Sequence, residues 1–156
     1  MKIRSAEKRD YHRINELYEQ VDRLHREVHP DRFQKPAVLG RPDEFLNALV
    51  ENESSYLIVA EEREEIIGFA EAYIVSAPNF PVLKQRSWLL IDSIAVDEGH
   101  RGMGTGQKLF DYLGAKAKER GVEEVELNVY AFNDSAIKFY EKNGFKELCK
   151  TMTKRL

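Results

Sequence analysis

Apolar residues recur at helical spacing in the first third of the chain. From Asp10 onward they follow an i, i+3, i+4, i+7 pattern, which predicts an amphipathic helix with Asp10 as its N-terminal cap. A second helix is predicted to begin at Arg41-Pro42-Asp43, since proline suits the first turn of a helix. Before both helices, the segment from Lys2 to Ala6 has the pattern of a short strand.

The middle of the chain changes to alternating, strand-like segments. Strands are predicted over Tyr56–Ala60, Ile66–Val75 and Ser87–Val96, separated by a charged turn and by a proline-containing loop, as in an antiparallel meander. The remaining predicted elements are a helix ending at Gly121, a strand over Val122–Tyr130, a helix over Asn133–Asn143 and a last strand over Phe145–Thr153. The order β-α-α-β-β-β-α-β-α-β predicts an α/β fold with a mixed sheet, in a single domain over residues 1–156.

Composition narrows the choice of partners. The chain has 24 basic and 27 acidic residues and a net charge of −3, so it lacks the basic excess typical of nucleic-acid binding. The longest apolar run, Trp88–Ile91, is far shorter than the roughly 18 residues of a membrane span. We therefore expect neither nucleic acid nor membrane as a partner.

The cysteine count and the first residues of the chain predict the cellular compartment. Cys149 is the single cysteine and cannot form an internal disulfide, and the first residues lack the apolar segment of a signal peptide. We expect a cytoplasmic protein. Cys149 lies in the predicted last strand and is expected to be at least half-buried there.

A glycine-rich segment, Arg101-Gly102-Met103-Gly104-Thr105-Gly106, follows the third strand of the meander and precedes a helix. Glycine has no Cβ, so its backbone amides can approach a phosphate closely, and the positive end of the helix dipole adds attraction. The spacing does not match the dinucleotide-binding pattern, because Gln107 and Leu109 occupy the positions of the third glycine, and the P-loop lysine is also missing. A structural turn without a ligand stays an alternative.

The spacing Arg101-x-x-Gly104-x-Gly106 after a strand ending at Val96 resembles the acetyl-CoA loop of the GNAT superfamily of N-acetyltransferases. A second segment, with Leu127-x-Val129, Asn133-x-x-Ala136-x-x-Phe139-Tyr140 and Gly144-Phe145, resembles the strand and helix that complete the family's cofactor site. The resemblance covers about residues 88–145. It implies the GNAT fold and an enzyme that transfers an acetyl group from acetyl-CoA to a primary amine.

The resemblance also implies where the cofactor lies. By this resemblance, the pyrophosphate rests on the backbone amides of residues 101–106, and the pantetheine arm runs in a cleft between the Asp92–Val96 strand and the Leu127–Ala131 strand. The implied cofactor-binding residues are Ile94, Ala95, Val96, Arg101, Gly102, Met103, Gly104, Thr105, Gly106, Asn133 and Tyr140. No metal is expected.

Acetyl transfer to an amine needs a group that takes the ammonium proton. A period of two along the strand places Leu90, Asp92, Ile94 and Val96 on one face, which makes Asp92 a carboxylate among apolar neighbours and a candidate base. A purely structural role for Asp92, and water as the base, stay alternatives. Some relatives carry a glutamate on the next strand, but here Asn128 stands there and cannot act as a base.

The leaving thiolate needs a proton donor, and Tyr140 is the residue that the resemblance implies for this role. Its spacing alone would favour a core tyrosine. His25 and His29 lie four residues apart on one helix, where they could bind a metal, line the acceptor pocket or simply face solvent.

The acceptor is a small amine or a peptide, and the sequence does not name it. A non-catalytic acyl-CoA-binding module is the alternative function, and a mononucleotide-binding domain is disfavoured by the failed loop spacings. Whether the chain forms a homodimer is left open.

Overall fold

Five strands form one mixed sheet in the order β1-β2-β3-β4-β5, with four α-helices packed around it. The structure is a computed structural model that describes residues 1–156. Its elements are β1 (Lys2–Ser5), α1 (Tyr11–Val28), α2 (Asp43–Glu51), β2 (Ser55–Glu62), β3 (Glu65–Ser76), β4 (Ser87–Val96), α3 (Thr105–Glu119), β5 (Val125–Leu127) and α4 (Asp134–Lys142). Strands β1 to β4 pair antiparallel and β5 pairs parallel with β4, which confirms the predicted α/β class with a mixed sheet.

Helices cover both faces of the sheet because successive strand residues point to opposite sides. Helices α1 and α2 cover one face, and their shared core includes Ile14, Leu17, Tyr18, Leu46, Leu57, Val59 and Phe69. Helix α3 covers the other face, with a core that includes Ile58, Ala60, Ala70, Leu89, Ile91, Leu109 and Leu113. None of the helices is both long and apolar enough to span a membrane.

Strand β4 carries a β-bulge at Asp92. Ile91 pairs with Ala72 and Ser93 pairs with Glu71, so Asp92 is an extra residue with no partner of its own on β3. A bulge reverses the side to which the following residues point.

The bulge overturns the predicted face of β4. Leu89 and Ile91 belong to the core under α3, whereas Ala95 belongs to the core under α1, and Ile94 packs on the α3 side. The prediction that Leu90, Asp92, Ile94 and Val96 share one face is therefore wrong. Asp92 is also exposed rather than enclosed by apolar neighbours.

Strands β4 and β5 separate soon after they meet. Their parallel pairing runs only from Leu89–Ile91 against Val125–Leu127. Strand β5 was predicted to extend to Tyr130 but ends at Leu127, so residues 92–96 of β4 have no partner on that edge. The two strands thus leave a cleft between them.

The predicted cap of α1 is not formed. Asp10 does not cap α1; its carboxylate accepts two hydrogen bonds from Arg4, at 2.7 and 3.0 Å, and one from the Glu7 N–H at 2.8 Å. A buried carboxylate is stabilised more by two hydrogen bonds from a guanidinium than by one from a backbone N–H. Asp10 therefore pairs with Arg4 and does not cap α1.

The predicted last strand over Phe145–Thr153 is not formed, so the element order ends at α4. Phe145 packs on Phe110 and Tyr140, but the side chains that follow find no core: Leu148 and Met152 are 77% and 90% exposed. Without burial, a strand here would have nothing to stabilise it. Cys149 is correspondingly exposed, contrary to expectation.

Gly68 lets α3 approach the sheet closely. A Cβ at this position would lie 2.9 Å from the Ala95 carbonyl oxygen and 3.3 Å from side-chain atoms of both Thr105 and Leu109. We expect Gly68→Ala to lower the free energy of unfolding by about 1–3 kcal/mol, measured by urea denaturation, because the backbone must move to accept the methyl group.

The matched control is Gly114→Ala, since Gly114 lies within α3 and a Cβ there meets nothing within 4 Å. This substitution should raise stability by about 1 kcal/mol through helix propensity alone. Equal effects of the two substitutions would contradict the close packing at Gly68.

Candidate active site

A segment between β4 and α3 holds the glycine-rich motif. Gly102 and Gly104 have φ angles of +79° and +82°, a left-handed conformation that glycine adopts without steric cost. The backbone N–H groups of residues 101–107 donate no hydrogen bond within the chain; the first such bond in this region runs from the Lys108 N–H to the Gly104 carbonyl, at 3.1 Å. We call residues 101–107 the cradle. Free N–H groups at the N-terminus of a long helix form an anion-binding site.

The hydroxyl of Thr105 adds a second sign of a ligand at the cradle. Thr105 is the first residue of α3 and is 1% exposed, and its Oγ1 has no hydrogen-bond partner in the chain. A buried hydroxyl without a partner costs free energy, so an acceptor or donor from a ligand would offset that cost. Arg101 lies exposed at the rim, where its Nε donates to the Val96 carbonyl at 3.1 Å.

Asp97, at the start of the segment between β4 and α3, ties that segment to helix α1. Its Oδ1 accepts hydrogen bonds from Arg13 at 2.8 Å and Gln20 at 3.0 Å, and its Oδ2 contacts the Gly99 N–H at 3.2 Å and His100 Nδ1 at 3.1 Å. Hydrogen bonds from Gln20 and His100, together with that from Arg13, hold the pKa of Asp97 well below its ordinary value. Sequence reasoning assigned Asp97 no role, because its partners on α1 are far away along the chain.

Helix α4 brings Tyr140 to the same side of α3 as the cradle. Phe139 approaches Gly106, where an ideal Cβ would lie 3.6 Å from the ring, and Tyr140 packs between Phe139 and Phe145 at centroid distances of 5.5 and 5.6 Å. The Tyr140 hydroxyl makes no hydrogen bond within the chain, and desolvation by burial raises its pKa to about 12. Tyr140 is therefore protonated at neutral pH, as a proton donor must be.

Asn133 is held by the helix that it begins. Its Oδ1 accepts a hydrogen bond from the Ala136 N–H at 3.2 Å, which is the N-terminal cap of α4. The cap leaves the side-chain amide nitrogen of Asn133 as a free donor at the start of α4.

The other face of the bulge contains a group that sequence reasoning missed. Glu71 on β3 is 1% exposed, and its two carboxylate oxygens accept hydrogen bonds from the hydroxyls of Tyr18 and Tyr73. Burial, together with the Glu71 charge and hydrogen bond, raises the pKa of both tyrosines, and the charge of Asp92 raises that of Tyr73 further. The only sequence signal was a lone glutamate within an otherwise apolar strand.

His25 and His29 are packed among aromatic rings. They contact Phe33, Tyr130 and Phe132 at centroid distances of 5.2 to 5.7 Å, which joins the end of α1 to the segment after β5. No group of three or more His, Cys, Asp or Glu side chains in the chain could hold a metal ion. The histidines therefore belong to an aromatic cluster that joins these two segments.

A mixed sheet that splays beside an anion-binding cradle is the arrangement of an acyl-CoA-dependent transferase, and comparison with known proteins agrees. The Acetyltransferase (GNAT) family profile matches residues 10–145. The chain belongs to this family, whose members are acetyl-CoA-dependent acyltransferases.

Individual relatives support the assignment. YhfO, an uncharacterized N-acetyltransferase of Bacillus subtilis, is 28% identical over 147 residues, which cover 94% of this chain and 91% of the relative. An N-alpha-acetyltransferase of Sulfurisphaera tokodaii is 37% identical over 109 residues, which cover 67% of this chain and 64% of the relative. A crystal structure of a mutant BH1408 protein from Bacillus halodurans aligns with a TM-score of 0.93 at 33% identity, over 100% of this chain and 99% of that one.

The Asp97 contacts predict a pH dependence of stability. A carboxylate with a depressed pKa stabilises the fold above its unfolded pKa of about 3.8, and this contribution is lost as the pH falls toward the folded value. We expect Asp97→Asn to lower the free energy of unfolding at pH 7 by about 1–3 kcal/mol. The difference from wild type should stay constant down to about pH 4 and narrow below it, as measured by urea denaturation at a series of pH values.

Asp111→Asn serves as the control, because Asp111 is exposed on α3 and accepts one hydrogen bond, from Gln107. It should change stability little at any pH. A destabilisation by Asp97→Asn that persists unchanged at pH 3 would contradict the ion-pair account.

Proposed function

We propose that this chain is an N-acetyltransferase that moves the acetyl group of acetyl-CoA directly to a primary amine in a ternary complex. The observation that carries the proposal is the cradle: free backbone N–H groups over residues 101–107, next to the unpaired, buried hydroxyl of Thr105. Both features are suited to the oxygen atoms of a pyrophosphate. The binding sites for acetyl-CoA and for the acceptor lie in one domain over residues 1–156.

The residues present fit acetyl-CoA. The cradle and Arg101 would hold the pyrophosphate through N–H groups and one guanidinium. The main chain of Ile94, Ala95 and Val96, on the edge of β4 that β5 leaves unpaired, would bind the amide groups of the pantetheine arm. Asn133 would add a side-chain contact from the start of α4.

Two side chains share the chemistry, Asp92 on β4 and Tyr140 on α4. When bound, acetyl-CoA supplies an activated acetyl thioester. Asp92, exposed at the bulge of β4, takes a proton from the acceptor ammonium directly or through water. Tyr140 gives its hydroxyl proton to the departing sulfur, a role supported by a hydroxyl that stays protonated at neutral pH and has no hydrogen-bond partner within the chain.

The acceptor is an amine of a small molecule or a peptide. The name of the Sulfurisphaera tokodaii relative, an N-alpha-acetyltransferase, supports acetylation of an amine.

The role of Tyr140 is tested by thiol release from acetyl-CoA in the presence of a panel of amines. We expect Tyr140→Phe to lower kcat by about 10- to 100-fold while acetyl-CoA affinity stays within about twofold, because only proton donation is lost. Tyr112→Phe is the control, since Tyr112 is also half-buried and makes no hydroxyl hydrogen bond within the chain.

Full turnover in Tyr140→Phe would contradict the role as proton donor and leave Tyr140 with a role in packing alone. If the wild type binds acetyl-CoA but releases no thiol with any amine, the chain is an acyl-CoA-binding module instead of an enzyme.

The cradle is tested by Gly104→Val. The substitution places a β-branched side chain at a φ of +82° and disturbs the direction of the free N–H groups, so we expect acetyl-CoA affinity to fall at least tenfold in calorimetric titration. Gly121→Val is the matched control, because Gly121 has a φ of +72°, equally open surroundings and a place at the opposite end of α3. Equal affinity in both variants would count against the cradle.

A further inference from the structure

Glu71 is a buried carboxylate placed at the same level of the sheet as the bulge of β4. It pairs with Ser93, the residue directly after Asp92, and lies on the face covered by α1. Its two oxygens receive the hydroxyl protons of Tyr18 and Tyr73. A charge this deeply buried is costly unless it is well hydrogen-bonded, and two phenols supply that.

The contact with Glu71 determines which hydrogen bonds the Tyr73 hydroxyl can still make. The proton of the Tyr73 hydroxyl is committed to Glu71, so the phenol oxygen can only accept a further hydrogen bond. Tyr73 is partly buried and pairs with Leu90 on β4, two residues before Asp92, and the charge of Asp92 raises the pKa of Tyr73. Tyr73 and Asp92 together thus present only hydrogen-bond acceptors, with two negative charges at Asp92 and Glu71.

The cation beside this group is already paired. The Arg41 guanidinium lies 4.2 Å from the Tyr18 ring centroid, and its two terminal nitrogens donate to Asp22 at 2.7 and 3.1 Å. The backbone of the same residue is pinned to α1, where the Arg41 N–H donates to Asn15 at 2.8 Å. Arg41 is therefore held in place, and its positive charge is already shared between Asp22 and Glu71.

We infer that Tyr73 and Asp92, with Glu71 behind Tyr73, form a seat for the ammonium group of the acceptor, and that the acceptor carries no carboxylate on the carbon next to that nitrogen. The inference rests on the proposed function, since it concerns the acceptor of the same reaction. A carboxylate beside the nitrogen would add a negative charge next to those of Asp92 and Glu71, while the neighbouring cation, Arg41, is already paired with Asp22. Alkylamines, lysine side chains and peptide N-termini fit the seat; free α-amino acids do not.

Glu71 acts through Tyr73 and is a positioning residue, whereas Tyr73 and Asp92 contact the acceptor. The fit also explains why a glutamate is buried in an otherwise apolar strand. An apolar residue of similar size would fill the space but would offer no acceptor for the Tyr73 proton, which could then point toward the acceptor amine and repel an ammonium N–H.

The seat is tested without turnover by NMR of protein labelled with carbon-13 at the tyrosine ζ position, with the Tyr73 signal assigned from Tyr73→Phe. The probes are three amines and the amino acids that differ from them by one carboxylate: ethanolamine and serine, 3-methylbutylamine and leucine, phenethylamine and phenylalanine. We expect at least one amine to shift the Tyr73 signal in a saturable way, with at least tenfold weaker binding of its amino acid. A Tyr73 signal that no amine moves, or that amine and amino acid move equally, would overturn the inference.

Kinetics provide a second test with a matched pair of variants. With the best amine, Tyr73→Phe should raise the KM of the amine about tenfold or more, the loss expected for a hydrogen bond to a charged group, and leave the KM of acetyl-CoA unchanged. Tyr11→Phe is the control, because Tyr11 is also buried on the α1 side and donates one hydrogen bond, to Asn47 at 3.0 Å, away from Glu71. Glu71→Gln should raise the amine KM as Tyr73→Phe does, and an unchanged amine KM in Tyr73→Phe would overturn the seat.

The two proposals fail in different ways. Thiol release with an amino acid as efficient as with its matched amine would contradict the seat while the transferase activity stands. Absence of thiol release with every amine, together with a Tyr73 signal that responds to amines alone, would contradict the transferase activity while the seat stands.

Discussion

The site depends on how the N-terminus of α3 is presented. Its first N–H groups have no partner within the chain, and their combined partial charge is directed to the end of β4. Two contacts hold the helix end there: Gly68 allows Thr105 and Leu109 to approach the sheet, and Asp97 ties the connecting segment to α1. Loss of either contact would move the cradle relative to β4, where the reacting groups must meet.

The two sides of β4 have opposite electrostatic character. The cradle side offers N–H groups, a hydroxyl and Arg101 to an anion, whereas the bulge exposes the carboxylate of Asp92, and Glu71 lies buried behind Tyr73 on the side facing α1. The bulge at Asp92 lies between them and breaks the regular pairing of β4 with β3. In the proposed reaction, the anionic donor and the cationic acceptor would be attracted to different parts of β4, with their reactive ends meeting between them.

Features that depend on neighbouring residues could be predicted from the sequence, whereas contacts between distant parts of the chain could not. The glycines of the cradle could be predicted because a left-handed backbone and close approach to an anion are properties of the residues themselves. Asp97 and Glu71 could not, because their partners Arg13, Gln20 and Tyr18 lie on α1, far away along the chain. The bulge was missed because a period of two assumes unbroken pairing, and the last strand was overpredicted because alternation alone does not show whether a partner strand is present.

If the free amides of the cradle bind the pyrophosphate of acetyl-CoA, the binding will be visible in the backbone amide signals of nitrogen-15-labelled protein. These signals can be followed during titration with acetyl-CoA and, in parallel, with S-acetylpantetheine, which lacks the pyrophosphate. We expect the signals of residues 101–107 to move strongly with acetyl-CoA and little with S-acetylpantetheine, and those of residues 94–96 to move with both. Cradle signals that stay in place when acetyl-CoA binds, or that respond equally to both compounds, would contradict binding of the pyrophosphate by the cradle.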